Sequence, residues 1–274
     1  MFARAEADQG LLRVILVGVF ILIVPVALVT TTVRVAISEQ AIYDYSVRQY
    51  DAERVSGIPE SELIRANGEI HHYLVSEDPG LLATQVTNSD GETERLFSAK
   101  ETVHMTDVRN LVQTMFTVQL LAVALTLTLA AVIVSLWSVR VLAAGMLYAA
   151  ALIAVVLGIG GVLAVTGFDA AWSQFHVIAF ANDLWQLDPD TDHLIQMYPE
   201  RFWQEVTLWI GAAIVLEAFL MAVVGAGYLL LTRENIERPN HAPREALEEN
   251  RPELPGRTGH APRLSPPDPR HYIR

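Results

Sequence analysis

Four apolar runs, residues 11–33, 111–137, 141–165 and 206–231, set the terms for everything else in this chain of 274 residues. A helix needs about 20 mostly apolar residues to cross a bilayer, and each run is long enough. The second and third contain no Asp, Glu, Lys or Arg. The expectation is a mainly α membrane protein with four transmembrane helices, whose chemistry lies between or beside the spans. The first run is longer than the apolar region of a signal peptide and no A-x-A site follows it, so it reads as a retained anchor.

Charge orients the spans. Residues 34–110 and 166–205 together hold 8 basic residues against 21 acids, whereas the N-terminus, the turn containing Arg140 and the tail after residue 231 hold 11 of the 19 basic residues. Basic residues collect on the cytoplasmic side, most diagnostically in short loops. Both termini are therefore expected inside, in residues 1–33 and the tail 232–274, with both acidic segments outside. The tail holds eight of the thirteen prolines and reads as disordered and cytoplasmic. Its Pro252-Glu253-Leu254-Pro255 fits P-x-x-P, a pattern common in such tails. The net charge of −12, without a basic face, argues against nucleic-acid binding. The absence of cysteine removes disulfides, thiolate zinc sites and a cysteine nucleophile.

The first outer segment, 34–110, is long enough for a small α+β domain. Residues 41–50, with Tyr43, Tyr45 and Tyr50, suit a strand. Pro59 suits the start of a helix over 60–73. Residues 84–87 and 93–97 flank Asn88-Ser89-Asp90-Gly91, whose Asp-Gly step favours a hairpin. Ser98-Ala99-Lys100-Glu101 matches a capping box, opening a helix that carries Glu101, His104 and Asp107 straight into the second span. The second outer segment, 166–205, contains Phe168, Trp172, Phe175, Phe180, Trp185, Tyr198, Phe202 and Trp203. Aromatic rings with polar partners favour the bilayer interface, so this segment is expected on the outer leaflet.

Two histidines stand closest to that interface. His104 precedes residue 111 by seven positions, about 10 Å along a helix. Asp107 lies at i+3 on the same face and could orient its imidazole. His176 follows the third span by eleven residues. Three other arrangements compete with this pair. Glu101-Thr102-Val103-His104 fits E-x-x-H, but a di-iron site needs a second copy on a neighbouring helix. Ser173 lies three residues before His176, without the G-x-S-x-G elbow of a Ser–His hydrolase. His71 and His72 are adjacent, so on a helix they point apart. Glu217, near the middle of the fourth span, is a functional candidate by its depth; its structural role would be a hydrogen bond to Thr117, Gln119, Thr126 or Thr128.

The run from Phe175-His176 through Phe180, Asn182, Trp185, Asp188, Pro189, Asp192 and Pro199-Glu200 to Phe202 resembles the signature of the bacterial lipoprotein intramolecular transacylase (Lit) family. Glu101-Thr102-Val103-His104-Met105-Thr106-Asp107-Val108 resembles its second signature. The resemblance covers roughly residues 11–231 and only loosely 34–97. It implies four spans, a small β-rich domain outside a bacterial plasma membrane, and an acyltransferase that uses a histidine pair. That enzyme moves the sn-2 acyl chain of a diacylglyceryl-cysteine to the α-amino group of the same cysteine, giving a lyso-form lipoprotein. The partners implied are a diacylated lipoprotein in the outer leaflet and lipids, with no cofactor or metal. By motif, the pair is His104 and His176. Phe175, Asn182, Trp185, Asp188, Asp192 and Glu200 would order the site or hold substrate, the acids mainly as acceptors in turns. Two other readings use the same features: a sensor or assembly protein with a signalling tail, and another interfacial lipid acyltransferase or hydrolase.

Overall fold

A computed structural model describes residues 2–77, 80 and 82–237. The chain divides into two units, Met1–Thr232 and Arg233–Arg274. Most of the second, including the P-x-x-P stretch and the expected disordered tail, lies outside the described residues.

Eleven elements follow one another in the described residues: α1 (Phe2–Ser38), α2 (Gln40–Gln49), α3 (Ala52–Ser56), α4 (Glu60–Val75), β1 (Gln85–Thr87), β2 (Thr93–Arg95), α5 (Ala99–Leu136), α6 (Val139–Thr166), α7 (Phe168–Ala179), α8 (His193–Met197) and α9 (Glu200–Glu237). Within α1, α5, α6 and α9 lie four stretches long and apolar enough to cross a membrane: Gln9–Ser38, Ala99–Leu136, Val139–Val162 and Glu200–Arg233. The protein is a multi-pass membrane protein. Most long apolar side chains on these helices point outward, as they must where the solvent is lipid.

Small residues set the approach of the spans. A Cβ at Gly145 of α6 would stand 3.2 Å from the ring of Phe20 on α1, and one at Gly225 of α9 would stand 2.9 Å from the carbonyl of Ala143. Phe20 and Val24 of α1 pack with Leu129 and Ile133 of α5 and Ala149 of α6. Close contact between backbones is the usual source of helix association in lipid. Glu217 finds its partner on the first span rather than the second: Thr32 Oγ1 donates to its Oε2 at 2.9 Å. The expected second-span partner Gln119 instead accepts from Arg34 Nη1 at 2.9 Å.

A second core stands at one end of the bundle, built from α2, α3, α4, the hairpin, α8 and the first turns of α5 and α9. Ile58, Leu63, Ile70, Val86, Leu96 and Met197 fill it. This region is mostly helical, which corrects the β-rich expectation; among the described residues its sheet is the single pair β1–β2. Residues 41–50, expected as a strand, form α2. Tyr43, Ser46 and Val47 are buried at helical spacing, and Gln40 Nε2 donates to Asp44 one turn on at 2.9 Å. The hairpin runs over a longer turn than a two-residue Asp-Gly loop. Asn88 Oδ1 accepts from the amides of Asp90 and Glu92, and Gly91 takes φ 84°, a conformation that favours glycine.

Candidate active site

The site is assembled on the first turns of α5. Ser98 caps that helix: its Oγ accepts from the amide of Glu101 at 3.3 Å, and Glu101 Oε2 accepts from the Ser98 amide at 2.8 Å. The same carboxylate reaches a second donor, its other oxygen accepting from the amide of Leu194 at 2.7 Å. Glu101 is 1% exposed, and the two backbone amides its carboxylate accepts from, one on each oxygen, account for its burial. It is a cap and a clasp; among the described residues no group of three or more His, Cys, Asp or Glu could hold a metal ion.

Two further contacts lash residues 182–194 against α5. Lys100 Nζ donates to the carbonyl of Gln186 at 2.5 Å and to Asp192 Oδ2 at 3.2 Å. That Asp192 oxygen also accepts from the Asp188 amide at 2.7 Å. Deeper along the helix, Asn182 Nδ2 donates to Asp107 Oδ2 at 2.9 Å, while Asn182 Oδ1 accepts from the Leu184 amide at 3.0 Å. Asp107 thus serves Asn182, and no hydrogen bond from it to His104 is formed among the described residues.

The loop so held brings aromatic walls to the two imidazoles. The rings of His104 and His176 lie 6.1 Å apart, centroid to centroid, with planes at 34°. Phe180 stands 5.0 Å from His104 and 5.6 Å from His176. Trp172, Trp185 and Phe175 surround His176 at 4.6, 5.0 and 5.2 Å. Trp172 in turn stacks on Trp203 of α9 at 5.2 Å, which anchors α7 to a spanning helix. Both histidines are buried, at 6% and 7% exposure.

The two imidazoles differ in their bonding. Nδ1 of His176 lies 2.8 Å from the carbonyl oxygen of Trp172. A carbonyl only accepts, so the proton is on Nδ1 and the lone pair is on Nε2. Burial pushes the His176 pKa below the ordinary histidine range, and the Trp172 carbonyl opposes that shift. The ring is therefore neutral at neutral pH, with a free basic nitrogen. His104 Nδ1 is buried and has no hydrogen-bond partner among the described residues.

Of the residues singled out from sequence, His104, His176, Phe175 and Trp185 meet at one place, and Asp107 with Asn182 lies beside it. Asp188 and Asp192 belong to the loop that supports it. Glu200 opens α9 beside Asp169 of α7, and no hydrogen bond from it to either imidazole is formed among the described residues. Ser173 is exposed and makes no hydrogen bond to His176 among the described residues. His71 and His72 turn apart, to the carbonyl of Ser38 and the hydroxyl of Ser76. Sequence reasoning passed over Lys100, although it lies one helical turn before His104 on the same face. It also left Trp172 and Phe180 as interface aromatics, when both are walls of the site.

Fold and site together define an integral membrane protein with a buried histidine pair at one end of its helical bundle. The family model for the lipoprotein intramolecular transacylase Lit matches residues 18–203, and the chain belongs to that family. A comparison with curated proteins returned no match. Among solved structures, the fold is similar to the membrane-integral lipoprotein intramolecular transacylase Lit of Bacillus cereus. The TM-score is 0.71 at 17% identity, over 82% of this chain and 99% of that one. Two further structures of the Bacillus cereus protein carry a histidine replaced by arginine or by alanine. They match with TM-scores of 0.68 and 0.67 at 16% and 18% identity, over 86% and 84% of this chain and 100% and 99% of theirs.

Proposed function

We propose that the protein moves the sn-2 acyl chain of a diacylglyceryl-cysteine to the α-amino group of the same cysteine, giving a lyso-form lipoprotein. The observation that carries this reading is the pair His104 and His176, 6.1 Å apart in one buried aromatic enclosure, in a chain of this family. Two rings at that spacing can address one acyl carbonyl from two sides.

His176 Nε2 is the general base. An α-amino group has a reference pKa of about 7.7–8.0, so its free-base form is accessible near neutrality and a neighbouring imidazole can take the second proton as the amine attacks. The nitrogen–carbonyl bond forms and the ester carbon–oxygen bond breaks. The proton held by His176 then passes to the departing glycerol oxygen, leaving a free hydroxyl and an amide. His104 stands on the oxygen side, where an imidazole N–H can stabilise the tetrahedral oxyanion. Asp107 acts through Asn182, whose bond fixes the loop carrying Trp185. Donor and acceptor belong to one cysteine, so proximity is already supplied, and the reaction calls for no acyl carrier or cofactor. Phe175, Asn182, Trp185, Asp188, Asp192 and Glu200 order the site or border the substrate.

The same reading places the site at the outer leaflet of a bacterial plasma membrane, with both termini in the cytoplasm. The distribution of basic residues supports that orientation. Helix α7 supports the interfacial position: it buries Phe168 and His176 while exposing Phe175, Val177 and Ile178, an apolar face suited to the headgroup boundary.

Mass spectrometry of lipoproteins from cells with and without the protein tests the proposal. The expected result is one acyl chain relocated from glycerol to the amino group only where the protein is present. An unchanged lipid pattern with normal expression overturns it.

A further inference from the structure

The two-stranded sheet has one covered edge and one free edge. β1 and β2 pair with Gln85 opposite Arg95, Val86 opposite Glu94 and Thr87 opposite Thr93. The flanking bonds, Leu96 N to Thr84 O and Asn88 N to Glu92 O, show which pairs exchange hydrogen bonds. Residues 92, 94 and 96 bond inward, so the amides and carbonyls of Thr93 and Arg95 point away from β1. On the far side of β1, helix α4 covers the edge. The Arg65 guanidinium donates to the Gln85 carbonyl, and Glu62 Oε2 accepts from the Thr87 amide at 3.3 Å. Beyond β2 nothing is bonded among the described residues. A groove of about 590 Å³ begins at Arg95, the last residue of β2, and is lined further by Phe97, Thr102, Val103, Thr191 and His193 among others.

The groove shares the first turns of α5 with the candidate active site. Val103 and Thr102 immediately precede His104, and Thr191 and His193 belong to the stretch lashed to α5 by Lys100 and Glu101. From His104 back to the start of α5 is about 7–8 Å along the helix axis, the length of two or three residues of extended chain. Resting on the transacylase reading, the substrate is a lipidated cysteine at the very start of a polypeptide. With its amine and ester at the imidazoles, that polypeptide has to leave the enclosure. A free strand edge with unpaired amides and carbonyls accepts an extended peptide of any sequence.

We infer that the groove beside β2 binds the polypeptide segment following the lipidated cysteine, as an added strand paired through the outward backbone groups of Thr93 and Arg95. Recognition through the backbone takes the residues after cysteine largely regardless of their side chains. Alternate substrate residues face β2, so the contacts recur with a period of two.

The test uses the full-length protein in lipid vesicles and synthetic diacylglyceryl-cysteine peptides. One ends as the cysteine amide; the others carry about six further residues, unmodified or N-methylated at one backbone position each. The long peptide is expected to show a KM about tenfold below that of the cysteine amide at similar kcat, the effect of one or two backbone hydrogen bonds. Methylation at alternate positions should return KM to the short substrate's value, and methylation at the intervening positions should not. Equal KM for long and short substrates, or a methylation effect without alternation, overturns the inference. If neither substrate is acylated on its amine, the transacylase reading fails instead. A photoreactive long lipopeptide then decides the groove separately: labelling of residues 93–97 or 191–193 supports it, and labelling only elsewhere overturns it.

Discussion

Asn182 donates to Asp107 across 75 residues of sequence, and this bond connects the loop that walls the site to the helix that carries His104. Asp107→Asn keeps an acceptor oxygen but loses the charge, which weakens the bond by about 1 kcal/mol. The expected rate of lyso-product formation falls about fivefold with the product unchanged. Asp107→Ala and Asn182→Ala should each cost more, and the double variant no more than the worse single one. Strict additivity in that cycle, read by product mass spectrometry, would separate the two residues.

His104→Ala and His176→Ala are each expected to lower lyso-form product about a hundredfold or more, the range of a lost general acid or base. Both variants should remain in the membrane fraction, since neither histidine lies within the apolar runs 111–137 and 141–165. Full activity in either removes that histidine from the mechanism.

The acid limb of the pH–rate profile follows from the burial of His176. Burial holds its pKa below the ordinary value, so the base form persists below about pH 6.5 and is lost only as pH falls through the depressed pKa. Trp185→Ala opens the enclosure to water and lets the pKa rise toward the ordinary value. The acid limb of kcat/KM should then move to higher pH. A limb that stays in place, with the variant folded, shows that another group titrates there.

Glu101 is a stability residue by its bonding. Glu101→Ala removes the reciprocal half of the capping box, about 1 kcal/mol, and leaves the buried Leu194 amide without an acceptor at about 1–3 kcal/mol. A loss of about 2–4 kcal/mol is expected in denaturant unfolding of the detergent-solubilised protein. Glu101→Gln, which keeps one acceptor oxygen, should lose roughly half of that. An undisturbed transition in the alanine variant would mean the clasp to α8 carries no load.

The spans, the capping box at Ser98 and the meeting of the two histidines were legible because each depends on local pattern or on topology. Apolar runs need only length, the cap needs four consecutive residues, and the two signatures contain the histidines themselves. What could not be read were partners supplied from far along the chain. The i+3 relation pointed Asp107 at His104, while the actual donor arrives on a loop. E-x-x-H suggested a ligand where Glu101 accepts from Leu194, 93 residues away. The tyrosines of residues 41–50 suggested a strand, yet burial of Tyr43, Ser46 and Val47 at helical spacing decided for a helix, since tertiary packing overrides a weak propensity. Lys100 gave no sign of its clasp because its acceptors, the Gln186 carbonyl and Asp192, are brought to it by the fold alone.

Helix α5 runs 38 residues, about 57 Å, and contains neither proline nor glycine. His104 is its sixth residue, on the same stiff rod that goes on through the lipid. The depth of that imidazole is thus gauged from the bilayer itself, as a mark on a dipstick is, rather than from a loop free to wander. On the proposed transacylase reading, a substrate moored in lipid by its acyl chains would meet an imidazole measured from the same datum.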